Sequence, residues 1–88
     1  MTLTSLERLR RDLMGTDRKI VKLLNERAEL SLEIGRIKDE NGLDVYDASQ
    51  ETKIFKNLAK VNDGVLPDKC LKAIFREIIQ LLAPCKSR

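Results

Sequence analysis

The chain contains no histidine and no tryptophan. Without histidine, neither a Ser–His–Asp nor a Cys–His nucleophile can be assembled. Zinc loses its usual nitrogen ligand, and the two cysteines, Cys70 and Cys85, do not form a CxxC pair. The sequence therefore predicts no metal site, no disulfide scaffold and no cofactor. Aromatic side chains are limited to Tyr46, Phe55 and Phe75. That leaves no stacking platform for nucleic-acid bases, and the basic residues are interleaved with acidic ones. Gly-rich phosphate loops are missing. Also missing are an apolar run long enough to cross a membrane and a signal-peptide core, so the expected location is the cytoplasm. The expected partners include neither nucleic acid nor membrane.

What is present is aliphatic and charged. Of 88 residues, 35% are Asp, Glu, Lys or Arg, and the net charge is +3. A chain of this size makes one domain, spanning residues 1–88, with a core that is only just adequate. Leu and Ile must supply that core, which suits packed helices.

The organising stretch is Leu6 to Lys38, free of proline. With Leu6 at heptad position a, that row collects Leu6, Leu13, Ile20, Arg27 and Ile34. Row d collects Leu9, Thr16, Leu23, Leu30 and Ile37. Row e collects Arg10, Asp17, Leu24, Ser31 and Lys38. The pattern is a wide apolar stripe on one long helix. Thr4 or Ser5 is expected to cap it, and Asn41-Gly42 to stop it. About 33 helical residues extend roughly 50 Å. A compact domain of this length has a radius of gyration near 12 Å. The helix must overshoot such a globule, and an obligate dimer is the simplest remedy.

Leu43 to Tyr46 reads as a short connector. Asp47-Ala48-Ser49-Gln50 matches a capping box, predicting a second helix over 48–61 with Ile54, Phe55, Leu58 and Val61 on its apolar face. Asn62-Asp63-Gly64 is a turn cluster. Pro67 suits a first helical position and opens a third helix to about Leu82, carrying Cys70, Leu71, Ile74, Phe75, Ile78, Ile79, Leu81 and Leu82 on its apolar surface. Cys70 is expected to be buried. Pro84 disfavours continuation, leaving a polar tail with Cys85. The fold class is thus all-α: one long and two shorter helices in an intertwined dimer.

The stripe is interrupted by cations. Arg10, Arg27 and Lys38 lie on it or at its edge, where burying an unpaired charge is costly. Each taken singly is a cation snorkelling out of an interface on an aliphatic stem. Arg27 and Lys38, however, are 11 residues apart, about 16 Å along the axis, and converge on one small ligand. Arg10 is 28 residues from Lys38, about 42 Å away, and reaches that ligand only from a partner chain. Asp47 and Glu51 share a face of the second helix, and Asp47 is a helix cap first. Several cations with one or two carboxylates suit a small polyanion that carries a hydroxyl.

The pattern LxxLRxxL…LLxxR…IGxxK, then V-x-D-x-x-x-E, resembles the all-helical, AroQ-type chorismate mutases over nearly the whole chain. The joint spacing of Arg10, Arg27, Lys38, Asp47 and Glu51 carries the resemblance. It implies an intertwined homodimer with two shared sites and the rearrangement of chorismate to prephenate in aromatic amino acid biosynthesis. It also implies roles. Arg27 and the partner chain's Arg10 clamp the two carboxylates, Lys38 contacts a carboxylate and the ether oxygen, and Glu51 accepts from the ring hydroxyl with the Asp47 backbone nearby. The family pattern departs at three places. Gln50 stands where members often carry arginine. Leu82 and Lys86 stand where the last helix brings a small hydroxyl residue and then Gln or Glu. Lys86 can donate to the ether oxygen in place of that amide. Two other readings stay open: an isochorismate pyruvate lyase on the same scaffold, and a non-catalytic helical dimerisation or effector-binding module.

Overall fold

The computed structural model describes residues 2–44 and 48–83, and among these every regular element is a helix. Helix α1 runs Thr2–Glu40, α2 Ala48–Val61 and α3 Asp68–Leu81. The expected cap Asp47, the connector residues Val45 and Tyr46, and Pro84, Cys85 and Lys86 lie outside the described residues.

Helix α1 is 39 residues long because nothing in it breaks a helix: it has no proline and is rich in Leu, Arg, Lys and Glu. Its interior polar residues turn back on the preceding turn. The Thr16 hydroxyl donates to the Asp12 carbonyl at 3.1 Å, and the Asn25 side-chain amide to the Val21 carbonyl at 3.0 Å. The helix begins at Thr2, so Thr4 and Ser5 lie within its first turns and do not cap it. Its other end is defined sharply. Gly42 adopts φ +68°, the Leu43 amide donates to the Lys38 carbonyl at 2.7 Å, and the Gly42 amide to the Asp39 carbonyl at 3.2 Å. This paired closure needs a left-handed residue at Gly42, where glycine carries no Cβ penalty. The Asn41 side-chain amide adds a bond to the Ile37 carbonyl at 2.7 Å.

Helix α2 has the predicted bounds. The Asn62 side chain then donates to the Leu66 carbonyl at 2.9 Å and the Asp68 carboxylate at 2.7 Å, fixing the reversal into α3. Pro67 is the N-cap, so α3 begins one residue later than predicted; its extended backbone turns the carbonyl onto the Cys70 and Leu71 amides, each at 3.0 Å. Helices α2 and α3 form the close pair. Ile54, Phe55 and Leu58 are half-buried on one side, and Leu71, Phe75, Ile78, Ile79 and Leu82 on the other. Among the described residues, the backbone of α1 does not come within 8 Å of either.

The consequence is that the described residues form no buried core. No apolar side chain among the described residues is buried; only Gly35 reaches that class. Cys70, expected to be buried, is exposed, as are Ile74 and Leu81 on the α3 surface and Val61 at the end of α2. The radius of gyration is 17.1 Å and the long dimension 61 Å. A compact chain of 88 residues would have a radius near 12 Å. The accessible surface is 7743 Å². A compact protein of 10.1 kDa exposes about 5300 Å², so roughly 2400 Å² lies open beyond that size class. Much of it is the heptad stripe: Leu9, Leu13, Leu23 and Leu30 each stay at least 60% exposed.

Candidate functional site

Burial along α1 is uneven. Toward the N-terminus, through Leu23, every residue whose side chain is described is exposed except Gly15. From there on, Leu24, Arg27, Ala28, Ser31, Gly35 and Lys38 are covered or half-covered. Their spacing of three and four makes one continuous stripe along the helix. Arg27 and Lys38 both lie on it. Eleven residues are three turns plus about 20°, so the two side chains share a face about 16 Å apart.

Gly35 sits between them. With no side chain, it lets other groups approach the helix backbone at the middle of the stripe. Ser31 lies one turn beyond Arg27 and is the one uncharged polar side chain on the stripe. By sequence it is only a member of row e, with no role assigned. The available signal was its i+4 spacing from Arg27, which places its hydroxyl in line with the two cations.

The carboxylate comes from α2. Glu51 is half-buried in the first turn of that helix, where the macrodipole favours a negative charge. The turn that leads the chain away from α1 toward α2 hangs on the Lys38 carbonyl. Lys38, a candidate site cation, therefore also anchors the turn behind it. Arg10 is exposed on the N-terminal half of α1, about 42 Å along the axis from Lys38. A single chain thus aligns Arg27 and Lys38 and leaves Arg10 apart. Asp47 and Lys86 lie outside the described residues.

An open concavity of about 760 Å³ runs along a different face of α1, lined by Glu26, Glu29, Leu30, Leu32, Glu33 and Arg36. It includes none of the predicted site residues and carries three carboxylates, the wrong sign for a small anion. Arg36 is already held by both Glu33 carboxylate oxygens. Among the described residues, no group of His, Cys, Asp or Glu side chains is arranged to hold a metal ion, and no helix is long and apolar enough to cross a membrane.

The described residues define an all-α protein whose longest helix carries two cations and a hydroxyl on one face, followed by a carboxylate at a helix start. The particular family is shown by comparison: residues 9–83 match the family described as chorismate mutase type II, and the chain belongs to it. It is 38% identical over 78 residues to the bifunctional chorismate mutase/prephenate dehydratase of Aquifex aeolicus, covering 84% of this chain and 22% of that protein. It is 35% identical over 63 residues to the protein of the same description from Neisseria gonorrhoeae, covering 72% of this chain and 17% of that one. The chain therefore spans about a fifth of the length of these curated relatives. Among solved structures, it resembles form I of the chorismate mutase of Thermus thermophilus, with a TM-score of 0.85 and 35% identity over 88% of this chain and 96% of that one. Form II gives the same score and identity, covering 88% of each chain.

Proposed function

We propose that the chain is a chorismate mutase, an isomerase of aromatic amino acid biosynthesis, working in the cytoplasm as a homodimer with two shared sites. The observation that carries this reading is the alignment of Arg27 and Lys38 on the one covered stripe of α1, within a chain of the chorismate mutase type II family. In the rearrangement, the ether C–O bond of chorismate breaks as a C–C bond forms between the enolpyruvyl methylene and the ring. No proton transfer and no nucleophile is required, which fits a chain without histidine. The protein has two tasks: to hold the dianion folded, and to stabilise charge developing on the ether oxygen.

Each residue then has a role. Arg27 clamps one carboxylate with the bidentate geometry of a guanidinium. Lys38 reaches the other carboxylate and the ether oxygen. Glu51 accepts a hydrogen bond from the ring hydroxyl, with the Asp47 backbone beside it. Lys86 donates from the C-terminal side. The reaction needs no cofactor.

Arg10 enters from the partner subunit. Leu9, Leu23, Leu30 and Ile37 of row d are all exposed. Two α1 helices laid antiparallel about Leu23 bring Leu9 level with Ile37 of the partner subunit and Thr16 level with Leu30 of the partner subunit. In that register Arg10 stands within two residues, about 3 Å along the axis, of the level of Lys38 of the partner subunit. Two cations brought that close favour an anion between them. The roughly 2400 Å² of excess surface per chain falls within the range of obligate dimers.

The test is chorismate turnover with identification of the product. Saturable formation of prephenate that Arg27→Ala removes, at unchanged helix content, supports the reading. Pyruvate released from isochorismate, without prephenate from chorismate, replaces it with the lyase. Binding without turnover of either compound replaces it with the effector-binding module.

A further inference from the structure

The side of α1 next to row d is segregated by charge. Rows g and c there carry Arg8, Lys19 and Lys22 toward the N-terminus, then Glu26, Glu29, Glu33 and Glu40 toward the C-terminus. All seven are exposed, and α1 has no acidic residue in its first turn. The helix dipole favours the opposite polarity at both ends, so the macrodipole does not account for this arrangement. Two residues break the pattern: Asp12 in the basic half and Arg36, which already pairs with Glu33 of its own helix, in the acidic half.

Both the segregation and its exceptions fit one geometry. Set a second α1 antiparallel, with the two-fold axis at Leu24. Arg8 is then level with Glu40 of the partner subunit, Asp12 with Arg36 of the partner subunit, Lys19 with Glu29 of the partner subunit and Lys22 with Glu26 of the partner subunit. Every one of these pairs is opposite in sign. The only like-charged residues brought level on α1 are Arg10 and Lys38, on the other side of row d and assigned above to the substrate. A slip of one heptad in one direction sets Lys19 level with Lys22 and Asp12 level with Glu29. A slip in the other direction sets Glu26 level with Glu29 and Lys19 level with Arg36. A parallel, in-register pair sets every charge against itself. The apolar row centres an antiparallel pair on Leu23, one residue from that axis. Two sets of side chains that share no member thus place the two-fold axis within one residue, in registers that differ by about 3 Å along the helix.

We infer that rows g and c of α1 are an interaction surface for a second copy of this chain, and that their charge order selects the antiparallel register that completes the shared site. The inference rests on the dimer reading above and goes beyond it by assigning the register to named ion pairs. Opposite charges at matched levels attract, and the slipped and parallel arrangements are disfavoured by repulsion.

The test is a charge-swap series on the full chain. Lys19→Glu with Lys22→Glu sets acid against acid. Adding Glu26→Lys and Glu29→Lys restores every pair with its signs exchanged. At low salt, the double variant should dimerise about tenfold more weakly or worse, and the fourfold variant should return to within about threefold of the parent. A spin label at Met14→Cys, in a Cys70→Ser and Cys85→Ser background, reads the register directly. The antiparallel arrangement puts two labels about 30 Å apart along the axis, and a heptad slip changes that by about 10 Å. A fourfold variant as weak as the double variant, or a dimer whose affinity and label distance ignore both sets of substitutions, overturns the charge assignment and leaves the dimer standing. A parent chain that stays monomeric at micromolar concentration overturns the dimer reading itself.

Discussion

Mixing two inactive variants gives a quantitative test of the shared site. Arg10 and Lys38 lie 28 residues apart on one unbroken helix, about 42 Å along its axis. No conformation of a single α1 brings both to one small molecule. The proposed site therefore draws Arg10 from one chain and Arg27, Lys38 and Glu51 from the other. Arg10→Ala and Lys38→Ala alone should each be inactive, because every site in either homodimer lacks a cation. In a heterodimer, one site lacks both cations and the other lacks neither. Random exchange of equal amounts makes about half the dimers heterodimers, each with one intact site of two. Activity should therefore return to about a quarter of the parent's, per chain, at the rate of subunit exchange. Native mass spectrometry of the mixture reports the heterodimer fraction, and turnover of chorismate reports the sites. Full exchange with no recovered turnover would refute the cross-chain site. Activity in Arg10→Ala alone would show that Arg10 takes no part.

Three further outcomes follow from the same geometry. Arg27→Ala should lower kcat/KM about 10²-fold or more, the scale of losing one preorganised charged contact, with an unchanged circular dichroism spectrum. Gly42→Ala forces a side chain into φ +68° and should cost about 1 kcal/mol, lowering Tm by about 4–8 °C in a thermal melt. Leu23→Asp, at the centre of the exposed row, should abolish dimerisation in analytical ultracentrifugation and lower helix content with it; a stable helical monomer would contradict the need for a partner.

The helices were legible where local chemistry decides them. Helix α2 was predicted over 48–61 from the capping-box pattern before it and the turn cluster after it, and it is found there, with Asn62 bridging to α3. The end of α1 was legible because Asn41-Gly42 permits only a few closures. Its start was not, because Thr4 and Ser5 are capable caps whose hydroxyls cannot reveal that the helix already began at Thr2. The same limit applies to Cys70. Its apolar neighbours argued for burial, but in this chain alone Cys70 is exposed, as are Ile74 and Leu81 of the same helix. Sequence periodicity marks which face seeks cover, without saying whether the cover comes from the same chain. For the candidate site, the shared face of Arg27 and Lys38 was legible, as charges interrupting an apolar stripe. Ser31 was not, since a small hydroxyl on a helix reads as tolerated polarity until its burial is seen.

The most direct measurement is the fate of chorismate with the purified chain, alongside Lys38→Ala. The account predicts prephenate as the product, a saturable rate, and loss of that rate in Lys38→Ala without loss of the dimer. A dimeric, helical parent chain that leaves chorismate unchanged, or a Lys38→Ala variant that turns it over as fast as the parent, would contradict the site described above.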